Sequence, residues 1–108
     1  MYGEKAMLIL SFIANFFAGA YLCNCIPHLC AGLRGEAFPT PFAKPPGEGK
    51  SSAVTNTIWG TFNLLVGGLL VGFAPVDPGF NFRFALFLVG FLGIGIPMSK
   101  HFAKVRDK

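Results

Sequence analysis

Charged residues are what this sequence has least of. They make up 13 % of the 108 residues, about half of the ~25 % that is usual in soluble domains, whereas the hydrophobic share is 53 %. The chain also holds thirteen phenylalanines and fourteen glycines, and glycine is more frequent in membrane helices than in soluble ones. The scarcity of charge argues against a soluble domain and indicates that lipid is the solvent.

The long apolar segments also lack ionisable side chains. No Asp, Glu, Lys or Arg lies in the core of any of them, and proton and cation pathways usually depend on intramembrane carboxylates. No acid–base pair or activated nucleophile is visible, so an enzyme is the least favoured class. The net charge of +4 does not predict nucleic-acid binding, because four of the nine basic residues lie in the C-terminal tail: Lys100, Lys104, Arg106 and Lys108. A basic tail beside an apolar segment is typical of membrane orientation or of binding to anionic lipid.

Three apolar segments predict an all-α membrane protein that forms one unit over residues 1–108, without an internal repeat. The predicted spans cover about residues 6–26, 54–73 and 80–98, with a Pro/Gly-rich loop at 27–53, a short outer turn and a basic tail at 99–108. About 20 residues are needed to cross ~30 Å of hydrocarbon, so the lengths fit. Pro27 is expected to end the first helix, and Ser51 or Ser52 to cap the second. Arg83 must reach the interface or pair to begin the third.

The basic residues also predict the orientation. Three spans place the loop and the tail on one side, with seven of the nine basic residues, and leave Lys5 and Arg83 on the other. The positive-inside rule therefore puts the loop and the C-terminus in the cytoplasm and the N-terminus outside. A cleaved signal peptide is the rival interpretation of the first span, since Ala18-Gly19-Ala20 resembles a cleavage site. Cleavage would leave the basic loop outside, so an uncleaved span is favoured.

Small and polar residues follow one face of each of the first two spans. At about 100° per residue, these faces carry Ser11, Asn15 and Gly19 on the first span and Asn56, Gly60, Asn63 and Gly67 on the second. Asn15 and Asn63 lie near mid-span, so they are expected to meet at one depth and to form an amide pair. The favoured interpretation is helix packing. The alternative is a polar pathway for an ion or a small solute.

Glycine and phenylalanine form further faces. Phe80, Phe84, Phe87 and Phe91 make a stripe on the third span, while Gly68 and Gly72 add a GxxxG pattern to the second, away from its Asn face. Glycine faces are expected to pack against protein and phenylalanine faces against lipid. There are more small-residue faces than one chain can use, which predicts association with other membrane subunits or with itself as a homo-oligomer.

Three cysteines and a histidine lie within eight residues, at Cys23, Cys25, His28 and Cys30. Thiolate and imidazole are ligands of zinc and copper(I), so a metal site at the end of the first span is one interpretation. The spacing is not that of the common zinc modules, and the chain would have to unwind at Pro27 to gather the four side chains. Use of these residues in packing is therefore favoured over metal binding.

The loop contains two further candidate sites. Its prolines predict an extended, polyproline-like backbone anchored by two phenylalanines, over Phe38, Pro39, Pro41, Phe42, Lys44, Pro45 and Pro46. This segment is expected to lie against the membrane or, alternatively, to bind an aromatic groove of a partner. Lipid headgroups or other anions are expected at the basic positions beside the spans, which are Lys50, Arg83, Lys100 and Lys104.

The same region carries a family resemblance. Pro27-His28, Phe38-Pro39-Thr40-Pro41-Phe42, Pro45-Pro46-Gly47, Ser51-Ser52 and Trp59-Gly60 resemble a stretch found in small bacterial membrane proteins that have no assigned activity. The stretch covers somewhat more than a third of the chain. The resemblance implies a bacterial inner-membrane location and implies no catalytic residue.

The sequence thus predicts a non-catalytic accessory or structural subunit of a larger membrane assembly that contacts membrane lipids. The ligands considered for it are bound lipid and a cofactor carried by a partner subunit. One alternative is a homo-oligomeric channel or transporter lined by Asn15, Asn56 and Asn63. Another is a metal- or redox-handling protein that uses the Cys/His cluster.

Overall fold

The computed structural model describes residues 2–106, so Met1 lies outside the described residues, as do Asp107 and Lys108 of the predicted basic tail. The chain is mostly helical, in the order α1 (Tyr2–Leu33), β1 (Phe38–Pro39), β2 (Lys50–Ser51), α2 (Ala53–Phe73) and α3 (Phe82–Arg106). Each of the three helices is long and apolar enough to cross a membrane. The predicted helical fold with three membrane-span-like segments is confirmed.

The first helix does not end at Pro27, and the prediction that it would is wrong. Helix α1 continues through Pro27 to Leu33, as transmembrane helices can when their surroundings compensate for the missing backbone bond. The stop is at Gly35, whose φ is 75°. The N–H of Gly35 donates to Gly32 O and that of Glu36 to Ala31 O, at 3.0 and 2.9 Å, which is a Schellman termination. With 32 residues, α1 is ~48 Å long and exceeds the hydrocarbon thickness.

The third helix also differs from the predicted span of 80–98. It begins at Phe82 because the side chain of Asn81 caps it, with Oδ1 accepting from Phe84 N–H at 2.8 Å. It passes through Pro97 and ends at Arg106. The basic tail is therefore helical as far as Arg106, and it extends α3 beyond the length needed to cross hydrocarbon.

Helix α2 agrees closely with the predicted span. Ser52 is the N-cap, and its Oγ accepts from Thr55 N–H at 3.1 Å. The cap was predicted at Ser51 or Ser52, and the structure selects Ser52. At the other end, the N–H of Ala74 donates to Leu70 O.

The segment between α1 and α2 is a small hairpin, and the predicted polyproline-like conformation is wrong. Phe38 pairs with Ser51 and Pro39 with Lys50 in antiparallel register. Between the strands the backbone folds into turns, with Gly47 N–H donating to Thr40 O and Gly49 N–H to Pro45 O, both at 2.8 Å. The glycines that follow Pro46 supply these N–H donors, so this proline-rich segment folds into turns and is not extended.

The three helices form an open arrangement centred on α1. Helix α1 packs along both α2 and α3, whereas α2 and α3 make almost no direct contact within residues 2–106. The molecule measures 52 × 25 × 23 Å. Helix α2 runs antiparallel to α1, and α3 runs parallel to α1. The end of α1, the hairpin, the start of α2 and the end of α3 therefore lie at one end of the molecule, which we call the hairpin end.

Candidate functional site

Buried amides connect α1 to α2, although not in the predicted pairing. Asn63 Oδ1 accepts from Asn24 Nδ2 at 2.9 Å. Asn15 donates to Ala74 O and accepts from Arg83 Nη1, both at 2.8 Å. The predicted Asn15–Asn63 pair is therefore wrong. Because α1 extends to Leu33 on the hairpin side, the antiparallel register brings Asn15 to the end of α2.

The glycines predicted to pack form contacts between helices, but not all between the same two: Gly60 and Gly67 of α2 contact α1, whereas Gly19 of α1 contacts α3. A Cβ at Gly67 would lie 2.6 Å from Leu22 Cδ2, and one at Gly60 would lie 2.7 Å from Leu29 Cγ, so these glycines accept leucines of α1. Gly19 instead faces the backbone of Phe87 in α3. Ser11 takes no part in these contacts, because its hydroxyl donates to Leu8 O of its own helix at 2.6 Å.

His28 and Asn56 form the polar centre of the hairpin end. His28 is 2 % exposed and Asn56 is fully buried, and His28 Nδ1 lies 2.8 Å from Asn56 Oδ1. Asn56 Nδ2 donates to three carbonyls, those of Phe38, Ser51 and Ser52, at 3.0 to 3.2 Å. One amide thus holds both hairpin strands and the start of α2 against α1.

Aromatic rings surround this polar centre. His28 packs edge-on against Phe38 at 5.5 Å, Trp59 at 6.4 Å and Phe102 at 6.5 Å between ring centroids. Phe38 and Phe102 are 4.7 Å apart, so the hairpin also contacts α3. His101 Nε2 lies 2.7 Å from Gly47 O, and donation from the ring to this carbonyl ties the end of α3 to the hairpin turn.

A cleft of about 340 Å³ lies beside the aromatic cluster. Its floor is formed by α1, through Phe17, Ala20, Tyr21, Asn24 and His28. Its walls are formed by the two helices that flank α1, through Trp59 and Asn63 of α2 and Ile94, Met98, His101 and Phe102 of α3. The hairpin closes one end, through Pro39, Thr40, Pro41 and Gly47. We refer to this space as the interhelical cleft.

One polar atom beside this cleft has no partner. Trp59 Nε1 is the single buried side-chain nitrogen or oxygen among residues 2–106 without a hydrogen bond. An unpaired buried donor costs about 1–3 kcal/mol, and native structures contain few of them. This nitrogen has essentially no accessible surface, so the indole N–H is enclosed by the protein and is not presented to a ligand in the cleft.

The predicted loop anchors have separate positions. Phe38 is part of the aromatic cluster, whereas Phe42 is 62 % exposed and lies edge-on to Trp59 at 4.9 Å. Pro39 is buried, and Pro41, Lys44, Pro45 and Pro46 are exposed. The hairpin thus presents Phe42, Pro41, Pro45 and Pro46 outward, while Phe38 and Pro39 attach it to the helices.

The predicted basic positions are also divided. Lys50, Lys100 and Lys104 are exposed at the hairpin end. Arg83 lies at the opposite end, where it bonds Asn15 and packs over the Phe12 ring at 4.8 Å, so it is paired within the protein. Just beyond α1, Arg34 and Glu36 form an exposed ion pair at 3.1 Å, and this guanidinium lowers the pKa of the Glu36 carboxyl.

The Cys/His cluster is not gathered into one site. Because α1 remains helical through this region, its members point in different directions: the Cys25 thiol donates to Leu22 O at 3.0 Å, and Cys30 is exposed. Cys23 instead faces α3, where a Cβ on Gly95 would lie 3.1 Å from its Sγ. Within residues 2–106, no three His, Cys, Asp or Glu side chains converge on a point that could hold a metal ion.

Sequence reasoning missed Tyr21, Asn24, Thr40, His101 and Phe102. Asn24 is an amide inside a predicted span, which is a signal that could have been used. His101 and Phe102 were assigned to a basic tail, and only the continuation of α3 past Pro97 brings them to the cleft. Comparison of this chain with protein-family models, with curated proteins and with solved structures finds no match.

Proposed function

We propose that this protein is a non-catalytic integral membrane protein that acts as an accessory or structural subunit of a larger membrane assembly. The observation that carries the proposal is the position of Gly68 and Gly72. A Cβ at either glycine would have no atom of the described residues within 4 Å. Small residues that leave a helix surface flat are the usual means by which membrane helices approach one another.

This glycine face is turned away from the rest of the molecule. At about 100° per residue, Gly68 lies on the opposite side of α2 from Trp59, which lines the interhelical cleft. The glycines that pack within the chain, Gly60 and Gly67, meet leucines of α1. Helix α2 therefore has one small-residue face used by its own chain and a second that is free to receive a transmembrane helix of a partner subunit.

The predicted channel receives no comparable support. Asn15, Asn56 and Asn63 are 0 to 1 % exposed, and each one is hydrogen-bonded to its own chain. Amides engaged in this way hold helices together and do not line an aqueous path. The same reasoning places the assembly hypothesis above metal handling, since the cysteines are dispersed along α1.

The assembly hypothesis is tested by native mass spectrometry of the protein extracted gently from its own membrane. The test variant is Gly68→Leu/Gly72→Leu, and the matched control is Gly3→Leu, a helical glycine that also has no neighbour within 4 Å. We expect the wild type and the control to be found as one copy in a larger complex. The double variant is expected to leave that complex while keeping the helical circular dichroism of the wild type.

Two results would overturn the proposal. One is a double variant that stays in the complex as well as the control does. The other is a wild-type protein found only as a monomer or as a closed ring of identical chains, which would favour the homo-oligomeric alternative.

For localisation we propose a bacterial inner membrane, with the N-terminus outside and the hairpin and C-terminus in the cytoplasm. The basic residues at the hairpin end support this orientation by the positive-inside rule. A thiol introduced at exposed Lys44 (Lys44→Cys) in a chain whose natural cysteines are changed to alanine should react with a membrane-impermeant maleimide only after the cells are opened. Labelling of Lys44→Cys in intact spheroplasts would contradict this orientation and would place the hairpin outside the cytoplasm.

A further inference from the structure

The interhelical cleft has the form of a binding site that is reached from the lipid phase. Helices α2 and α3 both pack on α1 and hardly touch each other within the described residues, so no helix closes the cleft opposite its α1 floor. The hairpin closes one end through Pro39 and Thr40. A ligand tail can therefore leave between α2 and α3, while a head group is held at the hairpin end.

The hydrogen bonds determine what the polar groups of the cleft can do. Asn56 Nδ2 donates to three carbonyls, so Asn56 Oδ1 must accept and His28 Nδ1 must carry the proton in their shared bond. In the neutral ring, Nε2 of His28 is then left as an acceptor. Tyr21 lines the cleft and is half-buried, and its hydroxyl has no hydrogen bond within residues 2–106, so it can serve as a donor.

The lining also limits the charge of the ligand. None of the described residues that line the cleft is Asp, Glu, Lys or Arg, so a carboxylate or phosphate head group would be buried there without a fixed countercharge, at a high desolvation cost. The polar groups that do line it, including Tyr21, Asn24 and Asn63, suit a neutral head that both donates and accepts.

Aromatic walls specify the shape of that head. Phe17, Tyr21, Trp59 and Phe102 all line the cleft, and the rings of His28 and Trp59 are 6.4 Å apart between centroids. Aromatic side chains favour offset or edge contacts with another flat ring. Ligand sites of this kind combine mostly apolar walls with a few placed polar groups.

We propose that the interhelical cleft binds a membrane-soluble quinone or quinol, with the ring held between α1, α2 and α3 and the apolar tail passing out between α2 and α3. A ring carbonyl accepts from the Tyr21 hydroxyl, and in the quinol form a ring hydroxyl donates to His28 Nε2. The proposal concerns binding of this ring class and requires no electron transfer by the protein.

The protein itself contains the reporter for the test, because Trp59 is its single tryptophan. Full-length protein in phospholipid nanodiscs is titrated with decylubiquinone, and quenching of Trp59 fluorescence is measured. We expect saturable quenching, in contrast to the linear quenching that mere partition into the bilayer produces.

A matched pair of variants separates binding from partition. Ile94 lines the cleft, whereas Ile96 on the same helix is 51 % exposed and does not line it. Ile94→Phe fills the cleft and should weaken binding at least tenfold, while Ile96→Phe makes the same chemical change outside it and should bind as the wild type does. Met98→Phe, at a second lining position, provides an independent blocked variant, and helical circular dichroism verifies the fold of each.

The role of the Tyr21 hydroxyl is tested separately with Tyr21→Phe, by measuring the decylubiquinone retained per protein after gel filtration of the nanodiscs. We expect less quinone to be retained. The proposal is overturned if quenching is equal and unsaturable in the wild type, Ile94→Phe and Ile96→Phe. It is also overturned if oleic acid or lysophospholipid displaces the quinone at equal concentration, since the cleft would then be a general acyl-chain site.

Discussion

The interface of α1 with α2 and that of α1 with α3, which we call the two seams, differ in how many side chains bond across them and in how closely the backbones approach. Between α1 and α2, Asn24 bonds Asn63 and His28 bonds Asn56. The glycines of this seam, Gly32, Gly60 and Gly67, each have a side-chain atom of the other helix as their nearest neighbour. Between α1 and α3, backbones touch, because a Cβ on Gly90 would meet the carbonyl of Phe16 and one on Gly19 would meet the carbonyl of Phe87. Within residues 2–106, one side-chain hydrogen bond crosses this seam, from Arg83 to Asn15 near the end opposite the hairpin. Hydrogen bonding and close backbone approach are the two interactions that replace the hydrophobic effect between helices in lipid.

The difference decides what each seam tolerates. A bonded seam needs particular amides, but the flexible side chains around them can adjust. A backbone seam needs only the absence of a side chain, but it cannot adjust, because main-chain atoms of both helices would have to move. We therefore expect the α1–α3 seam to be the more sensitive of the two to a single substitution.

The largest effect is expected from Gly90→Leu. The new side chain meets the Phe16 backbone, and we expect the free energy of unfolding in mixed detergent to fall by about 3 kcal/mol or more, the upper part of the range for overpacked sites. A second measurement is the disulfide between Cys23 and a thiol introduced by Gly95→Cys, whose yield should drop as α3 separates from α1.

Gly93→Leu is the matched control, because a Cβ there has Phe16 Cζ as its nearest atom at 4.0 Å, an ordinary contact. If the two leucine variants were equally stable, the α1–α3 seam would not depend on backbone contact, and the contrast between the seams would be lost.

An intermediate effect is expected from Asn56→Leu. It removes the donor to Phe38 O, Ser51 O and Ser52 O and leaves His28 Nδ1–H without its acceptor. Unpaired buried groups cost about 1–3 kcal/mol, and the loss should fall on the hairpin, so limited proteolysis within residues 38–51 should accelerate. Thr61→Val is the control, since Thr61 bonds only Thr57 O of its own helix. If Asn56→Leu and Thr61→Val were cleaved at equal rates, Asn56 would not be the residue that anchors the hairpin.

The smallest effect is expected from the amide pair at mid-seam. In a double-mutant cycle of Asn24→Leu and Asn63→Leu, the coupling free energy should be about 0.6 kcal/mol, the average for membrane hydrogen bonds. The corresponding cycle of Asn15→Leu and Asn63→Leu should give no coupling, because these two side chains bond different partners. If coupling were found only between Asn15 and Asn63, these two side chains would be the bonded pair, and the register of α1 against α2 in this structure would be wrong.

The sequence predicted the helices better than their ends. Composition located three apolar segments, and the local pattern of Ser52 before a helix located a cap. The predicted ends of α1 and α3 were wrong, because Pro27 lies inside α1 and does not end it, and because α3 continues beyond the apolar residues that defined its predicted span. Gly35 and Asn81 carried the termination and capping signals, and both are visible in the sequence.

The candidate site was predicted only in part. The buried face containing Asn56, Gly60, Asn63 and Gly67 follows from helical periodicity, and all four residues are buried. Their partners do not follow from it, because the register depends on how far α1 extends and on how the hairpin folds. The pairing of Arg83 was one of two expected outcomes, and its partner Asn15 became visible only once α3 was placed beside α1.

By itself, the sequence determined that this chain forms three membrane-span-like helices with a small, polar face on the first two, because hydropathy and periodicity are properties of contiguous residues. Tertiary structure decided which amides bond each other, that His28 is central to the hairpin end, and that α2 and α3 leave a cleft over α1. These features join residues as distant as Ala20 and Phe102. Such contacts depend on helix register and on the close approach of backbones at Gly19 and Gly90, which no local pattern specifies.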